Sequence, residues 1–228
     1  MEVIKLSTNL KQKCAKEAMK YIKNNTIIGL GGGATIAHLI EYIKEEKDLN
    51  IKVVTPSFKT RILCMEKGLE IVPTWYVDGI SVAFDGCDEV DENLNAIKSG
   101  GGIHTKEKLI ANMAKEYILL VDENKFVKSL TSKHPIVLEI LKDSLKYVEN
   151  KIIQLGGELS VRSTPVKDGF VITDNGNLLL DVKFNNLENP SELEKTLKNI
   201  SGVIEVSLFT NIVSKVIVVS ENEVKIIN

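Results

Sequence analysis

Apolar residues fall along this chain in short strand-like blocks separated by stretches of helical rhythm. Over 11–23, Ala15, Ala18, Met19 and Ile22 follow helical spacing, and Asn24-Asn25 ends the pattern. A buried strand is expected over 26–30, then a tight turn at Gly31-Gly32-Gly33 and a helix over 34–47. A second strand is expected over 51–55, with Pro56-Ser57 opening a helix that stops near Gly68. Further strands are expected over 69–72, 81–84 and 117–121, the last following a helix over 105–115. Strands alternating with helices imply an α/β fold, a Rossmann-like, mostly parallel sheet covered by helices on both faces.

The pattern changes after about Leu130. A strand over 136–140 leads to a helix over 142–155 that Gly156-Gly157 stops. Strands over 159–163, 170–173 and 178–184 are separated by turns at Lys167-Asp168-Gly169 and Asp174-Asn175-Gly176-Asn177. A helix over 190–200 and a strand over 203–208 complete a smaller α+β domain, with a ferredoxin-like antiparallel sheet. The apolar run 213–219 is expected to return to the first sheet. The expected division is therefore 1–130 plus 207–228, and 131–206.

With 228 residues, 43% of them hydrophobic, the chain can fill a full core. A net charge of -2 gives no basic face for nucleic acid. No run reaches membrane-spanning length and the first residues lack a signal-peptide apolar block, so a cytoplasmic protein without a membrane partner is expected. Cys14, Cys64 and Cys87 are odd in number and far apart, which indicates neither a disulfide frame nor a zinc site. His38, His104 and His134 have no carboxylate partners at ligand spacing, so no metal is expected.

The chemistry concentrates between Asp85 and Glu107. Asp85-Gly86-Cys87-Asp88-Glu89-Val90-Asp91 follows an apolar strand, Lys98-Ser99-Gly100-Gly101-Gly102 follows in turn, and a helix carries Glu107. Carboxylates beside a glycine loop and a lysine suit proton transfer on an anionic substrate. A calcium loop is excluded by the acid spacing and by Val90, which stands where that loop needs glycine. A solvated acidic face, or a long glycine turn before a helix, is the plainer alternative, but neither explains why both ends of the segment carry ionisable groups beside an apolar strand. In open α/β sheets ligands sit beyond the carboxyl ends of strands, so Gly31–Gly33 and Asp85-Gly86 are expected to share one cleft.

Gly29-Leu30-Gly31-Gly32-Gly33-Ala34 fits the dinucleotide fingerprint only loosely. The second strand ends in Thr55-Pro56-Ser57 instead of an acid, so a nicotinamide cofactor is not expected. Bare N–H groups at a helix N-terminus attract a single phosphate, and Thr35 can add a hydroxyl. The alternative is a turn that merely packs helix against strand.

Taken together, these segments resemble ribose-5-phosphate isomerase of the A type. That family's signatures run approximately G-x-G-T-G-S-T, D-G-A-D-E-V/I, I-K-G-G-G-…-E-K, V-D-x-S-K and T-D-N-G-N. Here they stand as Gly29 to Thr35, Asp85-Gly86-Cys87-Asp88-Glu89-Val90, Ile97-Lys98-Ser99-Gly100-Gly101-Gly102 through Glu107-Lys108, Val121-Asp122-Glu123-Asn124-Lys125, and Thr173-Asp174-Asn175-Gly176-Asn177. The resemblance implies interconversion of ribose 5-phosphate and ribulose 5-phosphate through an enediolate, without metal or cofactor, in the non-oxidative pentose phosphate pathway. It puts the catalytic base on Glu107, the paired acids on Asp85 and Asp88, and the lysines on Lys98 and Lys125. It puts the phosphate loop on Gly32, Gly33, Ala34 and Thr35, with Lys11 helping to hold phosphate. Gly86, Cys87, Ser99, Gly100 and Gly101 complete the expected substrate contacts. It also implies a homodimer or homotetramer, for which the strands of the small domain are the expected interface.

The chain departs from the family pattern at Gly32 and Ala34, where hydroxyls are replaced. It departs also at Cys87, at Ser99 after the lysine, and at Ser207 before Leu208-Phe209. Every expected catalytic carboxylate and lysine is retained. Two rivals follow: a paralogue isomerising another phosphorylated sugar, and a non-catalytic sugar-phosphate sensor. The sensor should lack the base and carry a DNA-binding module, whereas Glu107 is present and only one helix precedes Thr26.

Overall fold

The structure is a computed structural model describing residues 2–228. It divides into two compact units, the first formed by 2–87, Lys106–Phe126 and Ile212–Asn228, the second by Asp88–Thr105 and Val127–Asn211. These bounds differ from the expected 130/131 and 206/207. The strand Glu89–Asp91 pairs with Ala96–Ile97, which pairs in turn with Leu208–Phe209, so backbone hydrogen bonds tie 88–105 into the second unit.

In the first unit a seven-stranded sheet has the order Val224–Ile227, Lys215–Val219, Tyr117–Asp122, Val82–Asp85, Thr26–Leu30, Ile51–Val54, Glu70–Ile71. Neighbours are parallel except Val224–Ile227, which runs antiparallel to Lys215–Val219. The late apolar run thus does return to the first sheet. Helix α1 (Glu2–Ala18) begins earlier than its apolar rhythm announces, and α2 (Ala34–Glu45), α3 (Phe58–Glu66) and α4 (His104–Met113) follow. Ala15 and Ala18 of α1 and Ile36, Leu39, Ile40 and Ile43 of α2 are buried in one cluster with Ile28, Leu30, Phe84, Ile118 and Leu120 of the sheet. Each aliphatic side chain fully buried there contributes roughly 1.5–3 kcal/mol. Gly29 and Ala83 alternate to the opposite face, where a Cβ on Gly29 would come within 2.8 Å of Ile110 Cγ2 on α4. Helices therefore cover both faces of the parallel core.

In the second unit a four-stranded antiparallel sheet has the order Glu158–Val161, Leu178–Lys183, Ile136–Ile140, Val203–Val206. Helices α5 (Leu145–Gln154) and α6 (Pro190–Lys198) lie in its connections, giving the expected ferredoxin-like arrangement. Leu138, Ile140, Val148, Ile152, Leu180, Val182 and Leu197 fill its core. One strand is displaced: Lys167–Phe170 replaces the expected 170–173 and pairs with Ser163–Thr164. Pro165 presets the turn dihedral, so the chain reverses at Pro165-Val166 and not at Lys167-Asp168-Gly169. Among the described residues no helix is long and apolar enough to cross a membrane.

Candidate active site

The first unit places Gly31-Gly32-Gly33 between the Thr26–Leu30 strand and α2, with Gly33 as N-cap at φ 99°. The first backbone bond of α2 runs from Ala37 N–H to Gly33 O, and Gly31 N–H is spent on Phe84 O at 2.9 Å, so the amides that open α2, from Gly33 onward, are the ones that can face an anion. Gly31 allows a close approach: a Cβ there would stand 2.0 Å from Asp85 Oδ1. Thr60 Oγ1 donates to Gly31 O at 2.8 Å and fixes the loop from α3. Ser57 caps α3 by accepting from Thr60 N–H at 3.1 Å, and its Oγ would lie 3.7 Å from a Cβ on Gly32. A hydroxyl from the next helix thus flanks the loop where the Gly32 and Ala34 positions have lost theirs. Ala34 and Thr35 open α2.

Asp85 ends its strand and is buried. Its Oδ1 accepts from the N–H groups of Gly86 at 2.8 Å and Gly32 at 3.4 Å, and its Oδ2 accepts from Tyr117 Oη at 3.3 Å. Burial raises the Tyr117 phenol well above its ordinary value, and the charges of Asp85, Glu107 and Cys87 push the same way. Glu107 therefore belongs to the same electrostatic neighbourhood as Asp85. It is buried in the first turn of α4, where the helix dipole favours a carboxylate. Lys125 Nζ donates to Cys87 O at 2.8 Å and holds the chain just beyond Asp85. Lys11 is half-buried on α1, and its side chain makes no hydrogen bond or ion pair among the described residues.

The second unit gathers Asp88, Lys98, Ser99 and Gly100. Asp88 Oδ2 accepts from Ser99 N–H at 2.6 Å, Ser99 Oγ at 3.1 Å and Gly100 N–H at 3.0 Å. Burial alone would raise this carboxyl, but the Gly100 and Ser99 amides, the Ser99 hydroxyl and nearby His134 hold it below its ordinary value. Ser99, a departure from the family pattern, thus adds a donor to the carboxylate. Lys98 is buried with Nζ 5.8 Å from the Phe209 ring centroid, and its N–H donates to Ser207 O at 3.0 Å. Gly101 extends the same loop.

Two acids of the 85–91 run serve structure instead. Glu89 accepts from Thr131 N–H at 2.6 Å and Thr131 Oγ1 at 2.8 Å. Asp91 accepts from the N–H groups of Asn93 and Asn95, both at 2.9 Å, and closes a tight turn. Neither belongs to a solvated face. Sequence reasoning missed Tyr117, Thr60 and the placing of Ser57 beside the glycine loop. Only Ser57 left a signal, as the capping residue before a helix. Among the described residues no three His, Cys, Asp or Glu side chains are arranged to hold a metal ion.

The model of the ribose 5-phosphate isomerase A (phosphoriboisomerase A) family matches residues 52–223. A ribose-5-phosphate isomerase A of Methanococcus aeolicus is 42% identical over 231 residues, covering 99% of this chain and 97% of that protein. The solved ribose 5-phosphate isomerase A of Methanocaldococcus jannaschii superposes with a TM-score of 0.90 at 40% identity, covering 96% of this chain and 97% of that one. A solved D-ribose-5-phosphate isomerase in complex with phospho-erythronic acid gives 0.91 at 37% identity, with coverage of 96% and 97%. By sequence along nearly its whole length and by fold, the chain belongs to the ribose 5-phosphate isomerase A family.

Proposed function

We propose that this chain interconverts D-ribose 5-phosphate and D-ribulose 5-phosphate by moving one proton between C2 and C1 through an enediolate. The observation that carries the reading is the buried Glu107, a carboxylate at a helix N-terminus in the electrostatic neighbourhood of buried Asp85. Glu107 takes the proton from C2 of the open-chain aldose and returns it to C1. Asp85 assists ring opening at the ring oxygen and the anomeric hydroxyl. Lys98 and the amides near Gly100 stabilise charge on the enediolate oxygens, an effect worth several kcal/mol in comparable sites. Asp88 orients a substrate hydroxyl. The amides of Gly32, Gly33 and Ala34, with Thr35, hold the phosphate, and Lys11 and Lys125 add positive charge. Gly86, Cys87, Ser99 and Gly101 line the substrate.

The phospho-erythronic acid bound by a relative supports this chemistry, because its carboxylate offers a planar pair of oxygens like those of an enediolate. No metal takes part in this reading. The same reading makes the protein a cytoplasmic homodimer or homotetramer that binds no nucleic acid, with the small α+β domain, expected at 131–206, as its interface. Sedimentation of the purified protein tests that assembly.

The decisive experiment measures ketulose formation from ribose 5-phosphate in excess chelator, for the parent and for Glu107→Gln. The expected result is rapid turnover by the parent and a loss of about 10²-fold or more in the variant. A folded parent without turnover overturns the reading and favours a different phosphorylated sugar or binding alone.

A further inference from the structure

Arg162 is a half-buried cation in the second unit that no step of the proposed reaction uses. Its Nε donates to both oxygens of Asp181, at 3.0 and 3.1 Å, and its Nη2 bonds Asp181 Oδ1 as well. A fork pinned on a carboxylate loses little freedom when its remaining nitrogen makes a further bond. That nitrogen, Nη1, donates to Ser99 O at 2.9 Å.

The accepting carbonyl belongs to the peptide group that joins Ser99 to Gly100. A trans peptide is planar, with its C=O and N–H pointing in opposite directions. Fixing the carbonyl on Arg162 therefore aims the Gly100 N–H, which donates to Asp88 Oδ2 at 3.0 Å. A charge-assisted bond at the oxygen also polarises the peptide and strengthens the donor at its other end. Glycines at 100 to 102 leave this peptide otherwise free to turn. Packing keeps the loop close to the arginine: a Cβ on Gly102 would sit 3.4 Å from Arg162 Nη1 and 2.8 Å from Leu179 Cδ1.

We propose that Arg162, braced by Asp181, is a positioning residue that sets the Ser99–Gly100 peptide and through it the carboxylate of Asp88. Its bearing on catalysis rests on the proposed function, since Asp88 acts on substrate only there. The chain of bonds runs Asp181, Arg162, peptide 99–100, Asp88. Arg162 and Asp181 themselves have no part in binding substrate in that function.

The test follows the Asp88 carboxyl carbon by NMR titration, beside kcat and KM for ribose 5-phosphate, in the parent, Arg162→Met, Arg162→Lys and Asp181→Asn. In Arg162→Met the Asp88 midpoint is expected to rise by about one pH unit as an amide donor is lost. Turnover is expected to fall by about tenfold with KM changed less than about threefold, the pattern of an interaction felt mainly in the transition state. Arg162→Lys keeps the charge without the fork and should fall between parent and Arg162→Met. Asp181→Asn, which keeps the arginine, reads the same relay if Arg162→Met does not fold. An Asp88 midpoint equal to the parent's in the folded variants overturns the proposal. A parent without turnover would overturn the proposed function, while the titration would still decide the relay.

Discussion

Tyr117 donates its hydroxyl to Asp85 Oδ2 at 3.3 Å from a fully packed position at the start of its strand. Burial first, then the charges of Asp85, Glu107 and Cys87, keep the phenol protonated well beyond its ordinary value of 10.0. Asp85 therefore keeps this donor across the neutral range. Tyr117→Phe is expected to lower kcat about threefold to tenfold, the effect of one lost hydrogen bond of about 1 kcal/mol. The parent should show no alkaline loss of activity from this group below pH 10. Steady-state kinetics of parent and variant from pH 6 to about 10 check both statements.

Gly31 and Gly33 make a contrasting pair in the same turn. A Cβ on Gly31 would collide with Asp85 Oδ1 at 2.0 Å, whereas one on Gly33 meets nothing within 4 Å. Gly31→Ala must displace Asp85 or the loop, and should cost roughly 1–3 kcal/mol of stability together with most of the activity. Gly33→Ala meets no clash and faces only the penalty of φ 99° with ψ 177°, a region that is essentially glycine's alone, roughly 1–3 kcal/mol, and leaves Asp85 in place. Turnover should separate the pair, with urea unfolding confirming that both variants lose comparable stability.

Ser207 has a single structural duty that glycine or alanine cannot perform. Its Oγ accepts from Val137 N–H at 2.8 Å, and both residues are fully buried. Ser207→Ala leaves that donor without its acceptor, at an expected cost of about 1–3 kcal/mol. Chemical denaturation at neutral pH is the check.

Glu139 is a buried carboxylate at the middle of the small sheet. It accepts from Thr105 Oγ1, from Thr173 Oγ1 at 2.9 Å and from Asn177 Nδ2 at 2.7 Å. Burial raises it, but the hydroxyls of Thr105 and Thr173 and the amides of Asn177 and Asn175 hold it below the ordinary 4.5. A depressed carboxyl stabilises the fold above its unfolded value, and that contribution disappears as pH falls through the folded value. Glu139→Gln is expected to destabilise by about 2 kcal/mol at pH 7, with the deficit shrinking steadily below about pH 4.5. Thermal melts of both proteins at pH 7 and pH 3 are the check, and a deficit that does not change with pH would contradict the account.

The alternation of apolar blocks and helical rhythms carried the parallel sheet, because buried strands must be continuously apolar and their helices amphipathic. Asp85 was legible for the same reason: an acid at the end of an apolar run stands out. The strands Glu89–Asp91 and Ala96–Ile97 were not, since two or three residues flanked by Asp and Asn look like loop. Asp174 to Asn177 read correctly as a turn, yet its anchor Glu139 lies 34 or more residues earlier, a separation no local pattern encodes. Tyr117 and Arg162 counted only as members of expected strands, over 117–121 and 159–163, until their partners were placed by the fold. Residues that touch substrate leave motifs, whereas those that hold them depend on long-range geometry.

The parallel sheet of the first unit inserts Lys215–Val219 beside Tyr117–Asp122, a register nearly a hundred residues apart in sequence. A ribosome delivers the chain from one end, so Tyr117–Asp122 waits with an unpaired apolar edge while some ninety further residues emerge. The second unit, whose segment Asp88–Thr105 is already made, is completed during that interval and can fold on its own schedule. A released chain truncated just short of Lys215 should therefore give a protease-resistant second unit beside an open first one, and should be a ready client for chaperones that recognise bare strands.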